Sequence, residues 1–322
     1  MQRASNRPTR ISRIAHQPPL VVIVGPTAVG KTDITIRLAE EFNGEIVSAD
    51  SRQIYRRMNI GTAKPTPAER ARVPHHLIDI VDPDQAYHVA QFQTAAYAAI
   101  DDIHSRGKVP FLVGGTGQYV HSVIEGWQIP PVPPDPDLRR RLYAEAEGHG
   151  PERLHRRLSE IDPGAAERIH PNNIRRVIRA LEVYEATGRP ISDWQDKHPP
   201  AYCILQIGLT MDREALYRRI DVRVDQMIAG GLVDEVRTLL AAGYTFDRPA
   251  MSSLGYGEFE AYFQGEATLE EVVQTIKHET HRLVRHQYNW FSEDAPNIHW
   301  FDVEHGDYRD VRALVAGFLS RA

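Results

Sequence analysis

The 322-residue chain has one cysteine, Cys203. A single thiol excludes an internal disulfide framework and any zinc site built from cysteine pairs, and it fits a reducing compartment. Long apolar runs are also missing. None approaches the roughly 18–20 residues that cross a bilayer, so no membrane role is expected. Nor is there an excess of positive charge. The formal net charge is −5 and the pI near 6.3, which argues against a generic nucleic-acid coat protein but not against a local basic patch. Residues 1–19 contain no acid and no apolar stretch, but they carry Arg3, Arg7, Arg10 and Arg13. A secretory signal is therefore not expected. An organellar transit peptide shares the composition; the reading adopted is a disordered tail.

What is present points to an α/β enzyme. Residues 20–24 form a short, continuous run rich in Val and Ile, as expected of a buried parallel strand. A Gly-containing turn follows, then a helical pattern over 31–42 with Ile34, Leu38 and Phe42 four apart. Further strands are expected at 45–48, 76–80, 109–113 and 204–209. Helices are expected at 90–105, 213–229, 232–241, 269–290 and 309–319. Strands alternating with helices imply a doubly wound parallel sheet. Five prolines between 128 and 136 mark a boundary, and an Arg-rich helical pattern runs from 137 to about 186. The organisation predicted is a P-loop NTPase-like parallel-sheet core, formed by 20–126 and 198–322, with an all-helical insertion at 127–197.

The sharpest motif is Gly25-Pro26-Thr27-Ala28-Val29-Gly30-Lys31-Thr32. It fits G-x-x-x-x-G-K-[ST] at every fixed position and lies between a predicted strand and a predicted helix. Such a loop converges backbone N–H groups and a helix N-terminus on phosphate oxygens. Lys31 adds a mobile cation, and the Thr32 hydroxyl is a ligand type suited to Mg²⁺. The motif does not say which phosphate compound binds. An ATPase would end a second strand in a metal-associated Asp, whereas the cleanest apolar strand ends in Gly114-Gly115-Thr116, and Leu77-Ile78-Asp79 is a poor substitute. Asp50, after the second strand, sits on the sheet edge that binds ligands in open α/β folds. A general base, a partner of bound Mg²⁺ and a cap of the following helix are all open from position alone.

Six motifs then occur in order: the P-loop; Ser48-Ala49-Asp50-Ser51; Gly61-Thr62-Ala63-Lys64-Pro65; Asp82-Pro83-Asp84-Gln85-Ala86-Tyr87; Leu112-Val113-Gly114-Gly115-Thr116; and His170-Pro171-Asn172 leading into Arg179-Ala180-Leu181-Glu182. Together they closely resemble the tRNA dimethylallyltransferase (tRNA isopentenyltransferase) family, from about residue 20 to residue 290. The resemblance implies transfer of a dimethylallyl group from dimethylallyl diphosphate to N6 of the adenine 3′-adjacent to the anticodon, with release of pyrophosphate. It implies Asp50 as the base that takes the N6 proton and Thr116 as a contact to the flipped nucleotide. It implies Arg223 facing the diphosphate with Lys31, although a solvated helix arginine would have the same spacing. Implied tRNA contacts, to the anticodon stem-loop, are Asp50, Ser51, Arg52, Gln53, Thr116, Arg139, Arg175, Arg176, Val177, Ile178 and Arg179. Mg²⁺ is the implied cofactor, a cytoplasmic monomer the implied state, and a P-loop small-molecule kinase or ATPase the alternative.

The insertion supplies the basic patch. Between Arg139 and Arg179 ten arginines face six acids. Arg175, Arg176 and Arg179 lie largely off the apolar stripe of their helix, so they are expected to reach phosphates; a salt-bridged solvent face is the competing reading. Three positions depart from the family pattern: Gly257, His281 and His286 stand where basic residues, or other basic residues, are usual. These put local tRNA grip in doubt and leave the diphosphate site untouched.

Overall fold

The computed structural model describes residues 17–322. The tail expected at 1–19 lies outside the described residues up to 16, and Pro19 already begins the first strand. In chain order the first part comprises β1 (Pro19–Val24), α1 (Lys31–Glu41), β2 (Gly44–Ser48), α2 (Pro67–Arg72), β3 (His75–His76), α3 (Val89–Ser105), β4 (Val109–Gly114) and α4 (Gly117–Glu125). Four helices follow: α5 (Pro136–His149), α6 (Pro151–Ile161), α7 (Pro163–Arg168) and α8 (Ile174–Thr187). The chain then returns as β5 (Cys203–Thr210), α9 (Arg213–Ala229), α10 (Leu232–Ala241), α11 (Phe259–Phe263), α12 (Leu269–Trp290), β6 (Ile298–Asp302) and α13 (Tyr308–Leu319).

The six strands form one parallel sheet in the order β3-β2-β4-β1-β5-β6. β1 is central, and its apolar run divides between two cores by the period-2 rule. Val21 and Ile23 enter the core on one face; Leu20, Val22 and Val24 enter the other. Helices must therefore cover both faces, which is why this strand shows no polar alternation. With all strands parallel, the C-terminal ends of β2, β4, β1 and β5 lie side by side, and the loops leaving them share one edge. α5–α8 build a separate core from Leu138, Leu142, Leu154, Leu158, Val177, Ile178 and Leu181. The chain enters and leaves these helices at one neck, where Trp127 bridges Lys197 and Glu125 pairs with Lys197.

Two expectations need correction. The strand expected at 76–80 is only His75–His76. Leu77 and Asp79 adopt φ of 62° and 57°, a left-handed geometry that no strand can contain. The helix α4 and the edge strand β6 were not expected. α4 does bury a helical stripe of Tyr119, Val120, Val123 and Ile124 but is short and starts in Gly-rich sequence, and β6 buries only its first residue, so it lacks the alternation of a strand.

Candidate active site

The P-loop leaves β1 through Gly25 at φ 146°, where a Cβ would lie 2.4 Å from the Leu209 carbonyl oxygen. Only glycine permits that approach to β5. Among the described residues, the N–H groups of Ala28, Gly30, Lys31 and Thr32 have no hydrogen-bond partner. Four unpaired donors at the start of α1 make an anion-binding nest. The Lys31 ammonium donates to the carbonyls of Gly25 (3.0 Å) and Pro26 (2.8 Å). Burial pushes its pKa down to about 8, Asp50 pulls the other way, and Arg223 adds repulsion. A cation held in such surroundings gains most by meeting an anion. The Thr32 hydroxyl is half-buried, lines the same cleft and has no partner among the described residues.

Asp50 follows β2. Its Oδ1 accepts the N–H groups of Arg52 (2.8 Å) and Gln53 (3.3 Å). No helix follows, so the helix-cap reading gives way to a tight turn stabilised by one carboxylate oxygen. Oδ2 has no partner among the described residues. Thr116, just after β4, stands at the N-cap position of α4 without a side-chain cap bond, and its Oγ1 instead accepts the Ser51 N–H (3.1 Å). Asp50 and Thr116 are thus presented on adjacent strands. Gln53 is more occupied than expected of an RNA contact: its amide bonds Ser48 and the carbonyls of Thr62 and Ala63.

From α9, Arg223 reaches the same cleft. It is half-buried and has no hydrogen-bonding or ion-pair partner among the described residues. Burial lowers its pKa from the ordinary value, opposed by Asp50, Asp33 and Glu69. One turn earlier, Arg219 donates to the Val29 carbonyl of the P-loop (3.4 Å). It was missed from the sequence, although its i, i+4 spacing from Arg223 was a usable signal. The cleft, about 1320 Å³, is lined by Lys31, Thr32, Asp50, Thr116, Arg219, Arg223 and, from α12, Trp290. The Gly61–Pro65 motif lines it as well. Lys64 there is structural, its buried ammonium bonded to Tyr55, Asn59 and Asp79. Asp79 also binds Arg70 and does not line the cleft. It therefore cannot serve as the metal carboxylate of an ATPase.

The insertion arginines are largely engaged. Glu182, 1% exposed, accepts from Arg139 at 2.8 and 2.7 Å, from Arg179 at 2.6 Å and from the Asp135 N–H at 2.8 Å. Burial pushes the Glu182 carboxyl up, but these donors win and hold its pKa below the ordinary value. Val177 and Ile178 are 1% exposed in the insertion core, because they lie on the apolar stripe of α8. Of the residues expected to contact RNA, Val177 and Ile178 offer no side-chain surface, and Arg139 and Arg179, still partly exposed, are tied to a buried acid. Arg175 and Arg176 are exposed, with side chains unpaired among the described residues. At the positions departing from the family pattern, His281 stacks on Tyr217 with centroids 4.1 Å apart and bonds Asp221 at 2.9 Å. His286 lines the cleft, and Gly257 packs on the Ser252 backbone.

The chain matches the IPP transferase family over residues 53–294 and the isopentenyl transferase family over residues 18–79. A tRNA dimethylallyltransferase of Roseiflexus sp. (strain RS-1) is 57% identical over 297 residues, 92% of this chain and 97% of that protein. One of Chloroflexus aggregans is 55% identical over 294 residues, 91% of this chain and 99% of that protein. Among solved structures, the full-length tRNA isopentenylpyrophosphate transferase of Bacillus halodurans is 45% identical with a TM-score of 0.70, covering 94% of this chain and 97% of that one. A eukaryotic dimethylallyltransferase, solved acting on tRNA, is 29% identical with a TM-score of 0.79, covering 94% of this chain and 80% of that one.

Proposed function

The chain belongs to the IPP transferase family of tRNA dimethylallyltransferases, and from that premise we propose how its cleft moves the group and where the group goes. The enzyme is a prenyltransferase that transfers a dimethylallyl group to tRNA. In the proposed reaction the donor is dimethylallyl diphosphate and the acceptor is N6 of the adenine 3′-adjacent to the anticodon. The observation that carries this reading is one cleft holding two chemically distinct sides. The P-loop, Lys31 and Arg223 form a cationic side; Asp50 and Thr116 form a hydrogen-bonding side.

The bond broken is that between the allylic carbon and the diphosphate oxygen. Charge accumulates on the departing pyrophosphate, where the unpaired P-loop N–H groups, Lys31 and Arg223 stabilise it. The adenine amine is a weak nucleophile, because its lone pair is delocalised into the ring. Asp50 Oδ2 accepts a proton from N6 as the new N–C bond forms, while Oδ1 keeps the carboxylate oriented through Arg52 and Gln53. Thr116 holds the base, which must leave its stack to enter the cleft. A divalent cation fits the donor set, since the Thr32 hydroxyl is unpartnered beside Lys31. Mg²⁺ is the proposed ion, and bound there it would neutralise diphosphate charge.

Arg175 and Arg176 are the proposed phosphate contacts on the insertion, residues 127–197, which we treat as the tRNA-gripping unit. Ser51 and Arg52 flank the base site. A monomer acting on tRNA in the cytoplasm is the proposed working form. Among the described residues no helix is long and apolar enough to cross a membrane. A small-molecule kinase is not favoured, because β4 ends in Gly114-Gly115-Thr116 and Asp79 lies outside the cleft.

The test is incubation with Mg²⁺, labelled dimethylallyl diphosphate and unmodified tRNA, followed by digestion of the RNA. N6-dimethylallyladenosine is expected beside the anticodon. Asp50→Asn keeps an acceptor for the turn but not a base, so kcat should fall about 10²–10⁴-fold. ATP consumption with a small acceptor, and no label in RNA, would return the kinase reading.

A further inference from the structure

α12 presents a buried face made of Val272, Ile276, Thr280, Val284 and Gln287. At the last position a helix of this kind would ordinarily carry another apolar residue. Gln287 is 8% exposed, and its amide is spent on two distant loops. Its Oε1 accepts the Thr27 N–H at 2.8 Å. Its Nε2 donates to the Gly115 carbonyl at 3.2 Å. The two bonds fix the orientation of the amide, since only its oxygen can accept and only its nitrogen can donate. A Cβ at Gly115 would lie 2.3 Å from Nε2, so a side chain there would displace the Gln287 amide.

The two loops joined in this way belong to opposite sides of the cleft. Thr27 is part of the phosphate cradle. Gly115 precedes Thr116, whose hydroxyl holds the Ser51 N–H beside Asp50. Apart from the β1–β4 pairing beneath them, the Gln287 amide is, among the described residues, the hydrogen-bonded link between the P-loop and this turn. We propose that Gln287 is a positioning residue that sets the separation between the diphosphate side and the adenine side. Gln287 lines the cleft, but both polar atoms of its amide are spent on Thr27 and Gly115. Its effect is on alignment, and misplacement by about 1 Å can cost on the order of 10²-fold in rate.

The inference rests on the prenyl-transfer reading, so it is tested in a wild-type protein first shown to transfer label to tRNA; failure at that step would count against the reading itself. Gln287→Met keeps the volume and removes both hydrogen bonds. Its single-turnover rate is expected to fall about 10–100-fold. Its affinities for pyrophosphate with Mg²⁺ and for unmodified tRNA, measured separately, should stay within about threefold of wild type, because each side is intact alone. Gln287→Glu keeps the acceptor for Thr27 but opposes the Gly115 carbonyl with a second oxygen, so its rate should lie between the other two. A Met variant within twofold of the wild-type rate would overturn the proposal. So would rate loss accompanied by equal losses in both affinities and a lowered Tm, which is what general destabilisation produces. A Glu variant as fast as wild type would also overturn it, because the Gly115 bond would then be immaterial.

Discussion

The cleft of the core and the helical insertion are both rich in cations, and the fold treats them in opposite ways. In the cleft, Lys31 is buried on backbone carbonyls, and Arg223 has no acidic partner within bonding distance among the described residues. In the insertion, five of the ten arginines from Arg139 to Arg179 are already paired with acids. Arg139 and Arg179 hold Glu182, Arg153 and Arg157 hold Glu145, and Arg140 holds Asp137. Arg168 bonds Gln195, while Arg141, Arg156, Arg175 and Arg176 keep unpaired side chains among the described residues. Local charge excess is thus a poor guide to where an anion binds. Unspent hydrogen-bonding capacity is a better one, because a paired guanidinium must first lose its acid.

The largest effect that would break this comparison is at Lys31. Lys31→Ala should lower transfer by about 10³-fold, with tRNA affinity largely kept; unchanged turnover would show that the cationic side is not the diphosphate site. The next concerns the spent cations. Glu182→Ala should destabilise the insertion by about 2 kcal/mol, seen as a lower Tm, without flattening the salt dependence of tRNA binding. A flatter dependence would mean that Arg139 and Arg179 reach RNA only when Glu182 orients them. A smaller effect comes from pH. The folded pKa of Lys31, about 8, lies below its unfolded value. Its charge therefore costs stability below pH 8, and that cost is relieved as pH rises from 8 towards the unfolded value. Diphosphate capture has the opposite sign, since it needs the charged form. Its kcat/KM should fall as pH rises above about 8 in wild type, and the fall should be absent in Lys31→Met.

The two regions were also unequally legible in the sequence. The P-loop could be found because it follows an apolar run that is unmistakable and precedes a helical pattern; Asp50 stood out by its place after the second strand with three roles open, and Thr116 through the family resemblance alone. α9, α10 and α12 were bounded within a residue by their amphipathic periodicity and caps. The insertion was visible as a helical, Arg-rich segment, but not which arginines were free, because that depends on Glu182 lying beneath three donors. Nothing local marks Glu182 as buried. The loop after β3 was misread for a similar reason: Lys64 holds Asp79 in a left-handed conformation from fifteen residues away. Gln287 lay unnoticed inside a basic stretch, since its two partners are 260 and 172 residues distant. What escaped the sequence was long-range pairing of polar groups.

The division of labour between the regions is tested most directly by measuring two affinities in two variants. Pyrophosphate with Mg²⁺ and unmodified tRNA would each be titrated against Lys31→Ala and against Arg175→Ala/Arg176→Ala, across a salt series. The account predicts a double dissociation. Lys31→Ala should lose pyrophosphate and keep tRNA. The double arginine variant should keep pyrophosphate and bind tRNA more weakly, its log–log salt slope shallower by about 0.7–0.9 for each phosphate no longer neutralised. An unchanged salt slope in the arginine variant, or loss of both ligands in either variant, would contradict it.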